Sequence, residues 1–119
     1  MLVGAFKSLI ERSKIDPSLV EDIAVGSVLP PGGGATEFRA AALAAGFPVT
    51  AAVKSLNRQC SSGLQACVDI ANAISSGMIE VGIGAGVESM SLQYGYVMIM
   101  SQTEARLFFT RRMEANELL

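Results

Sequence analysis

Apolar and polar positions along this chain repeat with two different periods, and each change of period marks an element. Leu2, Val3, Phe6, Leu9 and Ile10 recur at helical spacing, with Lys7, Glu11 and Arg12 opposite them; this predicts a helix from Leu2 to Ser13. Asp16-Pro17 ends it. Ile23 to Leu29 (IAVGSVL) reads as a buried strand, and Pro30 to Gly34 (PPGGG) as a loop. Those glycines suggest a phosphate cradle, but neither GxGxxG nor GxxxxGK[ST] spacing is present, so a turn is the better reading. An alanine-rich helix follows, with Thr36 as the expected N-cap and Gly46 just past its end. Val49 to Leu56 predicts a second strand. Leu64, Cys67, Val68, Ala71 and Ile74 then form an apolar stripe on a helix ending at Gly77. On that stripe Cys67 reads as a small buried core residue. Finally Val81, Ile83, Ala85 and Val87 alternate with Gly82, Gly84, Gly86 and Glu88. This is a period-two strand with one face of glycine, the signature of a backbone that must come close. The helix after Cys60 is the expected occupant of that face. Glu88 is expected to hold structure at the strand end, and Met78 and Met90 to pack.

Helix, strand, helix, strand, helix, strand predicts an α/β fold with βαβ crossovers and a mostly parallel sheet. The chain opens on a helix, so a first strand is expected upstream of Met1. From Gly95 onward the pattern changes. Residues 95–119 read as a divergent tail, either helical or poorly ordered, apart from a partial domain over residues 1–94.

Composition narrows the function classes. At 119 residues the chain is at most one ordinary domain, half apolar, with a net charge of -2. It carries no basic footprint for nucleic acid, and no apolar run long enough to span a membrane. Histidine, the commonest general base and metal ligand, is absent. Placed on one helix, Cys60 and Cys67 would lie about 10 Å apart, beyond the ~7 Å limit of a disulfide. Free thiols in a reducing compartment are the simpler expectation.

The chemistry gathers at Asn57-Arg58-Gln59-Cys60-Ser61-Ser62-Gly63-Leu64. Cys60 falls between a strand and a helix, where unpaired backbone N–H groups and the helix dipole favour an anion. The thiolate is the nucleophilic form of cysteine. Ser61, Ser62 and Gly63 leave room for a bulky acyl group. The residues alone leave two readings open, a buried structural cysteine or a nucleophile.

Ser55 to Ala66, together with GIGAGVESMS at 82–91, closely resembles the N-terminal half of thiolases, and most of all the peroxisomal-type 3-ketoacyl-CoA thiolases. The resemblance runs from about Met1 to Tyr94. It implies a thiolase-like fold, here a partial N-terminal βαβαβ half of a subunit whose two similar halves stack as five layers. It also implies that Cys60 attacks a 3-ketoacyl-CoA, that acetyl-CoA leaves, and that a second CoA collects the shortened acyl group from the Cys60 thioester. Coenzyme A is then a substrate, with no other cofactor and no metal. Asn57, Gln59, Ser62 and Gly63 match the motif as shaping residues. The backbone N–H of Cys60 matches an oxyanion-hole donor. The same resemblance implies a homodimer formed through the strand before Cys60, and a peroxisomal location, with mitochondrial and cytoplasmic ones as alternatives. It places the activating histidine, an asparagine–histidine pair and a second cysteine in the other half. This chain has no histidine, so no turnover by itself is expected. A β-ketoacyl synthase-like condensing enzyme and a non-catalytic fragment pairing with a full-length subunit are the competing readings.

Overall fold

The computed structural model describes residues 1–91. The chain divides into two compact units, Met1–Glu88 and Ser89–Leu119. The fold concerns the first; the tail expected over residues 95–119 lies outside the described residues.

Among the described residues three α-helices and three strands alternate: α1 (Leu2–Ser13), β1 (Asp22–Gly26), α2 (Ala35–Ala45), β2 (Ala52–Leu56), α3 (Ser62–Ser75) and β3 (Gly82–Gly86). The strands form one parallel sheet in the order β2-β1-β3. The crossovers β1–α2–β2 and β2–α3–β3 run in opposite directions across this sheet. With the usual right-handed connection, α2 and α3 must then cover opposite faces.

That is what the core shows. On one face, Ile23 and Val25 of β1 pack with Leu2 and Phe6 of α1, Phe38 and Ala42 of α2, and Phe47. Phe6 and Phe47 meet edge to face, ring centroids 5.4 Å apart. The apolar positions of β3, with Val81 and Val87 at its ends, border the same cluster. On the other face a thinner core joins Ala24 of β1 to Ala66 and Ile70 of α3.

Two of the predicted starts move. Helix α2 begins on Gly34, whose left-handed backbone (φ 74°) makes it the N-cap, so Thr36 lies inside the helix and caps nothing. Gly32 and Gly33 also have positive φ. The glycine loop is thus a tight turn that a side-chain-bearing residue would strain. Strand β2 begins at Ala52 rather than Val49. Residues 48–51 form a turn instead, held by Arg39 of α2, which donates to the carbonyls of Val49 and Ala51. Gly46 does end α2, in a left-handed conformation.

The glycine face of β3 receives α3 as expected. A Cβ on Gly84 would sit 2.6 Å from Cys67 Cα, and one on Gly86 would sit 3.1 Å from Gly63 Cα. Sequence periodicity chose the wrong side of α3, however. The buried residues are Ser62, Ala66 and Ile70. Leu64 is 70% exposed, and Val68 and Ile74 just over 40%. Cys67 is exposed rather than buried, as is Met78 at 77%. The reason is steric. The start of the helix is drawn so close to a glycine and alanine surface that small residues, Ser62 and Ala66, lie beneath it, and Ile70 fits further along over Gly82, which has no Cβ to oppose it.

Candidate active site at the carboxyl edge of the sheet

All three strands run the same way, so the segments leaving Gly26, Leu56 and Gly86 emerge at one edge of the sheet. In open α/β folds that edge is where ligands gather. Residues 27–29, 57–61 and 87–88 meet there. Ser27 donates from its backbone to Leu56 O (3.0 Å), and Val87 from its own to Gly26 O (3.0 Å).

Cys60 lies in the turn between β2 and α3 and is exposed. It is not itself helical, because α3 starts at Ser62 with Ser61 as N-cap. Cys60 and Cys67 therefore do not share a helix, and both are free thiols. The turn is tightly determined. Gln59 has a left-handed backbone (φ 51°), a conformation that costs a non-glycine residue about 1 kcal/mol or more and that recurs at functional sites. Asn57 supports it by accepting the Gln59 N–H on Oδ1 (2.9 Å). The Ser62 hydroxyl is buried and spans the loop. It accepts from Arg58 N–H (2.8 Å) and donates to Gln59 O (2.5 Å). Ser61 donates to Arg58 O (2.9 Å). Arg58 extends along α3 to Gln65 Oε1, and Gln65 donates in turn to Asp69 (2.7 Å).

Glycine fixes the height of α3 above the sheet. A Cβ on Gly26 would lie 2.2 Å from the Ser62 carbonyl carbon and 2.5 Å from Gly63 N. The first turn of α3 is thereby clamped against the ends of β1 and β3, with Cys60 just ahead of it.

Of the residues singled out in the sequence, Asn57, Gln59, Cys60, Ser62 and Gly63 come together in this turn. Glu88 arrives from β3, where its carboxylate accepts from Val28 N (2.8 Å) and Leu29 N (3.2 Å), with Ser27 Oγ 3.3 Å from it. Sequence reasoning missed Ser27 and Gly26. The expected strand ran on to Leu29, whereas β1 ends at Gly26, and the only signal for either residue was a small pair inside an apolar run. No cluster of three or more metal-binding side chains occurs among the described residues. None of their helices is long and apolar enough to cross a membrane.

Residues 1–115 match the family described as thiolase, N-terminal domain. The chain belongs to the thiolase family. That match continues past Tyr94, and it sets aside the β-ketoacyl synthase-like reading. Among similar proteins, the peroxisomal 3-ketoacyl-CoA thiolase of Yarrowia lipolytica is 56% identical over 95 residues, covering 80% of this chain and 23% of that protein. A solved structure of the peroxisomal 3-ketoacyl-CoA thiolase of Saccharomyces cerevisiae superposes with a TM-score of 0.75 at 47% identity, covering 79% of this chain and 29% of that one. It is described as a five-layered A-B-A-B-A structure made of two core domains of identical topology. A second structure, of the dimeric peroxisomal thiolase of the same yeast, gives a TM-score of 0.73 at 47% identity, covering 78% of this chain and 25% of that one. The chain thus spans roughly a quarter of the length of the curated relatives it matches. The α/β thiolase-like fold with a parallel sheet agrees with the sequence reading.

Proposed function

We propose that this chain carries the acyl-accepting nucleophile of a 3-ketoacyl-CoA thiolase, and that the nucleophile is Cys60. The observation that supports this most is an exposed thiol held by a strained, hydrogen-bonded turn immediately before the amino end of α3. The helix end favours the negative charge of a tetrahedral intermediate. The membership of the chain in the thiolase family supplies the reaction.

In that reaction the Cys60 thiolate forms a bond to the keto carbon of a 3-ketoacyl-CoA. The bond between that carbon and the α-carbon breaks, its electron pair stays with the departing acetyl-CoA, and a proton must be delivered there. The acyl group remains on sulfur as a thioester until the thiol of a second CoA attacks it. Coenzyme A is a substrate, and the reaction calls for no metal or prosthetic group. Both proton transfers need an acid or base, and this chain has no histidine. The chain alone is therefore expected to accept an acyl group without completing a cycle. Its peroxisomal relatives suggest the same compartment for it.

The test uses the 119-residue chain with Cys67→Ser, so that Cys60 is the sole thiol. Butyryl-CoA is the probe. Attack by Cys60 on the thioester releases CoA thiol and leaves a butyryl-cysteine. Intact mass should show one hydroxylamine-sensitive butyryl group, lost with Cys60→Ser. No adduct at Cys60 overturns its assignment. Acetyl-CoA release from acetoacetyl-CoA and CoA, under reducing conditions, overturns the claim that this chain does not turn over.

A pairing role rests on a separate observation. Among the described residues β2 is an edge strand with β1 on one side only, and the yeast relative is dimeric. We propose that the 49–56 segment forms the homodimer contact, or pairs this chain with a full-length subunit. An unpaired edge strand is a template for another chain. Elution as a monomer by size exclusion, alone and with a full-length thiolase, would remove this role.

A further inference from the structure

Glu88 lies at the far side of the sheet edge from Cys60, yet a series of hydrogen bonds runs from it to Gln59, the residue before Cys60. The Glu88 carboxylate uses both oxygens. Oε2 accepts from Val28 N (2.8 Å) and Oε1 from Leu29 N (3.2 Å), with Ser27 Oγ 3.3 Å from Oε1 and its one proton directed at Val87 O. The Ser27 hydroxyl also lies 2.5 Å from Val87 O, so the 27–29 segment is held at both ends of the Val87–Glu88 peptide. The same segment turns the carbonyl of Val28 toward β2, where it accepts from Asn57 Nδ2 (3.3 Å). Asn57 then accepts Gln59 N–H on its other side-chain atom (2.9 Å). Gln59 is the left-handed residue next to Cys60.

We infer that Glu88 is a positioning residue for the Cys60 thiol, acting through the 27–29 segment and Asn57. The physical reason is that the Asn57 amide has one orientation that serves both neighbours. Its NH2 must face Val28 O and its oxygen must face Gln59 N. Only if Val28 O is held still does Asn57 keep its oxygen under Gln59. Two adjacent amides, Val28 and Leu29, point their N–H groups at one place, and an ionised carboxylate, an acceptor on both oxygens, satisfies both. A glutamine offers one acceptor and one donor there, and the donor would confront an amide N–H. The inference rests on the reading of Cys60 as nucleophile and adds the residue that sets its position.

The test is a double-mutant cycle in the 119-residue Cys67→Ser chain, with two readouts. The first is the rate of butyryl transfer from butyryl-CoA to Cys60. The second is the exchange rate of the Gln59 amide proton by NMR. Glu88→Ala and Asn57→Ala should each slow transfer about three- to tenfold, the net worth of one hydrogen bond. Because the two residues act in series, the double variant should be no slower than Asn57→Ala alone. Gln59 exchange should rise about tenfold in all three. Glu88→Gln keeps one acceptor and should move both readouts the same way by a smaller factor; it serves where the alanine variant does not fold. Losses that multiply in the double variant, or Gln59 exchange unmoved by either Glu88 substitution, would overturn the relay. Absence of butyryl transfer in the parent chain would instead count against Cys60 as nucleophile. The Gln59 exchange rates would still decide the relay.

Discussion

Replacing Gly26 by alanine puts the seating of α3 to its sharpest test. The added Cβ would lie 2.2 Å from both the carbonyl carbon and oxygen of Ser62 and 2.5 Å from Gly63 N. Ordinary carbon contacts sit near 3.5–4.0 Å, so the shortfall is about 1.3 Å. All three obstructing atoms are backbone, so no side-chain rotation relieves it. Either β1 bends or the first turn of α3 retreats. Retreat loosens Ala66 and Ile70 from Ala24, the whole buried core on that face. Overpacking alone costs about 1–3 kcal/mol, and partly unburying Ile70 adds a share of its ~1.5–3 kcal/mol. The expected loss is about 3 kcal/mol, a large fraction of the ~4–13 kcal/mol available to a unit of this size. Gly4→Ala is the control. Gly4 lies inside α1 with nothing within 4 Å of a built Cβ, so alanine should stabilise by about 0.5–1 kcal/mol. Urea unfolding of the 119-residue chain, followed by far-UV circular dichroism, measures both. If Gly26→Ala unfolds at the parent midpoint, α3 is not seated on the end of β1 and the account of the site collapses with it.

Two further outcomes follow from the same packing and from the loops. Leu64→Ser and Val68→Ser on the exposed side of α3 should change stability by no more than about 0.5 kcal/mol while reducing self-association in light scattering, since exposed apolar patches drive it; a loss above about 2 kcal/mol would mean that this face is covered. Asp16, which accepts the Ser18 amide (2.9 Å), has a carboxyl held below its ordinary value by that bond. Its contribution is therefore complete above the ordinary aspartate value of about 3.9 and is lost as pH falls through its lower folded value. Asp16→Asn should flatten the acid limb of a pH–stability curve below that point, and an unchanged limb would show that the bond has no effect on folding.

Much of this protein was legible from residue order alone. Helix α1 has the bounds that its apolar spacing predicts, because it packs one face and has no competing demand. The glycine face of β3 and its helical occupant were legible because an absence of side chains has one common cause, close backbone approach. The cysteine at a strand-to-helix turn was legible because small residues and a pattern change flank it. Three features were decided only in three dimensions. The buried side of α3 is the side away from Leu64 and Val68, each two positions, about 200° of rotation, from buried Ala66, and the surface beneath the first turns admits small groups, with Ile70 seated over Gly82. The cap of α2 passed from Thr36 to Gly34 because the preceding turn needs a left-handed backbone there. The tie from Glu88 to the cysteine turn joins Glu88 to Val28, 60 residues away, and Val28 to Asn57, 29 residues away, through a carbonyl and amides that no sequence pattern marks. Local order sets which stretches coil or extend, whereas the choice of covered face and the partners of each backbone group depend on what the sheet brings alongside.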